Sequence, residues 1–65
     1  MKKHQKLYDR IHAYQHLVVT EVFCIPEHQV DAAVKRATNS SYANCCKLIR
    51  EGRATEEELI DQYPL

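Results

Sequence analysis

A chain of 65 residues with one glycine, Gly52, and two prolines, Pro26 and Pro64, has few places where it can turn sharply. Long irregular segments need such residues in number. The remainder is rich in Ala, Glu, Lys and Leu, which favour helix. With 45% hydrophobic and 28% charged residues, the balance is that of a folded chain rather than a disordered one. These features predict a mostly α fold: a single small domain over 1–65 with three to four helices. A domain this short buries only roughly 60% of its unfolded surface, so its own core supports marginal stability.

The helices can be placed by periodicity. Leu7, Ile11, Tyr14 and Val18 recur at helical spacing and predict a helix from about residue 3 to about 17. The next stretch, 18–25, is rich in β-branched and aromatic residues and reads as a short β-strand. Val18, Val22 and Ile25 also continue the helical stripe, so both readings stand. Pro26 ends either form and suits the start of a second helix. Val30, Ala33, Val34 and Ala37 give that helix a narrow apolar face. Thr38-Asn39-Ser40-Ser41 predicts a break, with Ser40 or Ser41 capping a third helix over about 41–51. Gly52 fits a C-terminal cap, and Thr55-x-x-Glu58 is a capping box for a fourth helix that buries Leu59 and Ile60.

The same residues exclude several function classes. Cys24, Cys45 and Cys46 are an odd number of thiols, two of them adjacent, which argues against a disulfide scaffold and for a reducing compartment, the cytoplasm. Cys45 and Cys46 fit a buried helix stripe as small hydrophobes. The basic start leads into a polar stretch rather than a secretory leader, and no apolar run is long enough to span a membrane. His12 with His16, and Cys24 with His28, stand four apart, but paired Cys-x-x-Cys spacing is missing, so no metal site is expected. No phosphate loop, nucleophile elbow or metalloprotease motif occurs, and so small a chain leaves little room for a pocket. The expectation is a protein that is no enzyme, with no cofactor and no small-molecule substrate.

Nine basic and nine acidic residues cancel. They alternate in blocks, which internal pairing and helix-end electrostatics would explain. Segment 30–51 nevertheless has the outline of a helix-turn-helix unit, offering Ser40, Asn44, Lys47 and Arg50 to a groove with Lys35, Arg36 and Arg53 nearby. A strand at 18–25 followed by two helices resembles ribbon-helix-helix dimers, which read DNA through paired strands. The stretch from Leu48-Ile49-Arg50-Glu51-Gly52 to Tyr63-Pro64 is similar to a helix-Gly-helix piece of small antitoxin-like regulators. It covers under a third of the chain. Each likeness implies regulation by binding, and none assigns the chain to a family.

The function expected is therefore a small non-enzymatic regulatory protein that binds a protein partner, as an inhibitor or adaptor. Tyr8, Arg10, Tyr14, Val18 and Val22 are the candidate contacts. The partner is another protein or a second copy, with the stripe through Leu7, Ile11, Tyr14 and Val18 as the homodimer seam. The alternative is a small DNA-binding transcriptional regulator using Lys35, Arg36, Asn44, Lys47, Arg50 and Arg53.

Overall fold

The computed structural model describes residues 2–64. The order is α1 (Gln5–Leu17), a π-helical segment (Val18–Val22), α2 (Glu27–Arg50) and α3 (Glu56–Asp61). Among the described residues there is no strand, as a mostly α fold requires.

Helix α1 forms where the stripe predicted it. Leu7 and Ile11 are fully buried. Tyr14 is half-buried, edge-on to Tyr63 at 5.3 Å between ring centroids. At its start the Lys2 amide donates to Gln5 Oε1 at 3.0 Å.

The strand expected at 18–25 is not formed; Val18–Val22 is π-helix instead. A lone strand would leave its backbone N–H and C=O groups unpaired, whereas a helical turn satisfies them locally. A side-chain bond accompanies the widening from α to π. The Thr20 hydroxyl donates to the His16 carbonyl at 2.7 Å, a back-bond to the preceding turn that bends helices. Beyond it the Phe23 amide reaches the Val18 carbonyl, and the Ile25 amide reaches Val19. Cys24 then takes a left-handed φ of 53° and turns the chain towards Pro26. Pro26 is extended, with ψ 141°, and stands as the residue before α2.

The break expected at 38–41 is also absent. Helix α2 runs unbroken for 24 residues, so the second and third expected helices are one. The polar run failed to stop it because its side chains divide between two faces. Thr38 points into the protein and is fully buried, as a valine would be. Asn39 and Ser40 point to solvent. A helix of this length is about 36 Å long, close to the 38 Å longest dimension of the molecule.

The C-terminal features form as predicted. Gly52 has φ 71°. Its amide donates to the Ile49 carbonyl and the Arg53 amide to Leu48, at 3.0 and 2.9 Å. Those two bonds make a Schellman cap. The Thr55 and Glu58 side chains each accept from the other's backbone amide, at 3.2 and 3.0 Å.

The core lies in two parts along α2. Near α3, Leu7, Ile11, Cys45, Leu59 and Ile60 form one cluster. Towards the π segment, Val19, Val30 and Val34 form a smaller one. The radius of gyration is 12.2 Å, against about 10.7 Å for a compact chain of this length.

Candidate functional site

The aromatic and arginine residues singled out as partner contacts mostly serve the chain itself. Tyr8 stands edge-on to Tyr42 at 5.2 Å, with the Lys2 ammonium 4.9 Å above its ring. Arg10 donates to the Tyr63 carbonyl at 3.1 Å and so ties α1 to the end of α3. Leu7 and Ile11 are consumed in the core, so the stripe proposed as a dimer seam is covered within one chain. Val18 is half-buried, and of the five contacts only Val22 stands well out.

Around Val22 lies the apolar surface of note among the described residues. Val22 is 68% exposed, Phe23 66% and Leu17 46%. Val22 follows Leu17 by five residues, about one turn of the π segment, so both project on similar sides. Phe23 is the residue that sequence reasoning missed. It lies in the run read as a strand or as a helical stripe of Val18, Val22 and Ile25, and neither reading singles it out; in the π geometry it is exposed. The same corner holds the left-handed Cys24, also exposed.

The basic residues separate into three groups. Arg36, Asn44, Lys47 and Arg50 are exposed and share the face of α2 opposite its buried stripe, with Ser40 among them. Lys35 lies on the flank and lines a groove against α1 with Tyr8, His12 and His16. Arg53 lies past the helix end and pairs with Glu51 at 3.6 Å. A helix-turn-helix arrangement is not formed, because α2 runs unbroken from Glu27 to Arg50 and leaves no turn between the two expected helices. A ribbon-helix-helix arrangement is not formed either, because 18–25 is not a strand.

Internal charge pairing is sparse. Among the described residues the ion pair is Arg53–Glu51, and the His4 ring stands 3.7 Å from the Glu56 carboxylate. Neither involves a cation of α2.

An open groove of about 880 Å³ is lined by His16, Thr20, Ile25, Glu27, His28, Val30 and Asp31. It lies where the π corner joins α1 to the start of α2, and it is wide open to solvent. Its histidines and carboxylates do not converge: among the described residues, no three His, Cys, Asp or Glu side chains could hold one metal ion. The perturbed groups lie elsewhere. Burial pushes the Cys45 thiol up, against a lowering hydrogen bond from Tyr63. Burial, then the Cys46 thiol and the Glu56 charge, push Tyr42 up to about 12. Both shifts favour the neutral, unreactive forms.

No helix among the described residues is long and apolar enough to cross a membrane. Compared with models of protein families, with curated proteins and with solved structures, the chain matches none.

Proposed function

We propose that this chain is a small non-enzymatic regulatory protein of the inhibitor or adaptor type, which inserts the corner at 17–25 into an apolar cleft of a protein partner. The observation that carries this reading is the exposure of Val22 and Phe23, 68% and 66%, in a chain short of core. Aromatic side chains in such a position are the usual anchors of an interface.

The size of the patch favours a different protein over a second copy. Three side chains so exposed present on the order of 300 Å². Two copies meeting there would bury about half of the roughly 1,200 Å² that a stable interface needs. A knob of this area fits a partner that supplies the cleft and the rim. The free thiols favour a reducing compartment, the cytoplasm, as the place of action.

The test compares the wild type with Phe23→Ser, each confirmed folded by circular dichroism, in capture from lysate followed by titration against the captured protein. An anchor residue should weaken binding roughly 30-fold or more. A Lys47→Gln control should bind as the wild type does. Capture of nothing, or equal binding by Phe23→Ser, would sink the reading. A mass that doubles with concentration and reverts in Phe23→Ser would replace the foreign partner with a second copy.

A further inference from the structure

We infer that the outward face of α2 is a second, independent docking surface, and that it takes the major groove of B-form DNA. Residues 32–50 contain Lys35, Arg36, Lys47 and Arg50 and no carboxylate at all. Helical packing sorts them further. Arg36, Ser40, Asn44, Lys47 and Arg50 follow one another at intervals of four, four, three and three, and all are exposed. They form one stripe along roughly 21 Å of helix. The only acidic residues of α2, Glu27 and Asp31, precede this stretch.

Two ordinary explanations for such a stripe fall short. Internal pairing is one, but no described ion pair includes Arg36, Lys47 or Arg50. Helix-end electrostatics is the other; it accounts for Lys47 and Arg50 in the last turns, not for Arg36 in the body of the helix. Apart from Glu51 at the end of α2, the nearest acidic cluster sits elsewhere: Glu56, Glu57, Glu58 and Asp61 belong to α3, which packs with the buried side of the bundle. A molecule of zero net charge thus presents a basic face whose one carboxylate, Glu51, stands at its C-terminal edge and pairs with Arg53 at 3.6 Å, and the complementary partner is a polyanion.

The shape selects which polyanion. The stripe is straight and convex, flanked by Ala32 and Ala43, with hydrogen-bonding Ser40 and Asn44 between its cations. The major groove of B-DNA, about 12 Å wide, admits an α-helix. The deep, narrow major groove of A-form RNA does not. Cations on such a helix would meet phosphates, and Asn44 is placed to meet base edges.

The experiment is fluorescence anisotropy of a labelled 20-base-pair DNA duplex with the full chain across salt. Three or four phosphate contacts predict a log–log salt slope of about −3, which is roughly a 60-fold loss of affinity between 50 and 200 mM salt. Lys47→Gln should lower the magnitude of that slope by about one, and Arg36→Gln together with Arg50→Gln should remove most of the binding. Phe23→Ser should leave it unchanged, so failure here is distinct from failure of the protein-binding reading. No binding at 50 mM salt would overturn the inference. So would equal binding of the glutamine variants, or equal affinity for duplex RNA or poly-glutamate at matched charge.

Discussion

Thr38 is fully buried, and its hydroxyl has no hydrogen-bond partner among the described residues. The Val30–Val34 pair precedes it on the same helix face and Cys45 follows, so the site is apolar on both sides. An unpaired buried hydroxyl is costly, and valine has the same shape without it. Thr38→Val should therefore stabilise the protein by about 1 kcal/mol, read by thermal or urea unfolding. A loss of stability would mean that the hydroxyl does find a partner in solution. Tyr42 makes the opposite kind of contribution. Its hydroxyl donates to the Lys3 carbonyl, and its ionisation is pushed from 10.0 up to about 12. A group held protonated in the fold contributes fully below its unfolded pKa, and that contribution is lost as pH rises through the folded one. The wild type should thus lose stability between pH 10 and about 12, and Tyr42→Phe should lose less over the same interval. Thiol labelling gives a third check. Cys24 is exposed and Cys45 buried, so a maleimide should modify Cys24 first and Cys45 only on unfolding.

Among the elements, α2 offers the sharpest test because its middle looks like a turn. If the helix is continuous, Ser40→Ala improves its propensity at an exposed site and stabilises by roughly 0.5 kcal/mol. Ser40→Pro should cost about 3 kcal/mol or more, whereas a true turn would tolerate it. Circular dichroism and melting of the two variants read both outcomes. The contrast explains which parts of the fold were legible in the sequence. Gly52, Thr55 and Glu58 announced their caps because a cap is made by a few neighbouring residues and obeys local rules. The Leu7–Ile11 stripe was legible for the same reason. Thr38–Ser41 misled because composition does not report direction: the same four polar residues break a helix or ride through it, depending on which face is packed. Residues 18–25 misled because β-branched content speaks for a strand, while among the described residues there is no second strand to pair with it. The candidate site followed suit. Tyr8, Arg10 and Tyr14 have the chemistry of interface anchors, but only their packing could reveal that the chain uses them itself.

At the scale of the whole molecule the folded chain has little margin. A domain of this length is stable by roughly 3–10 kcal/mol. Leu7→Ala or Ile11→Ala, at positions fully buried in the larger cluster, should cost about 2–5 kcal/mol and leave a substantial unfolded population. Val19→Ala, in the smaller cluster, should cost less, about 1–2 kcal/mol, because less is deleted and more can relax. The division of the core into these two clusters has a further consequence. The larger one gathers side chains from α1, α2 and α3, while the smaller is three valines bracketing the π corner. Such a segment opens without dragging the rest with it. Amides of 19–33 should then exchange their hydrogens through local opening well before those of 45–50, which wait for global unfolding. Such exchange would mark a firm end and a yielding end, with Val22 and Phe23 on the yielding one, where in the proposed reading the backbone adjusts to the partner's cleft.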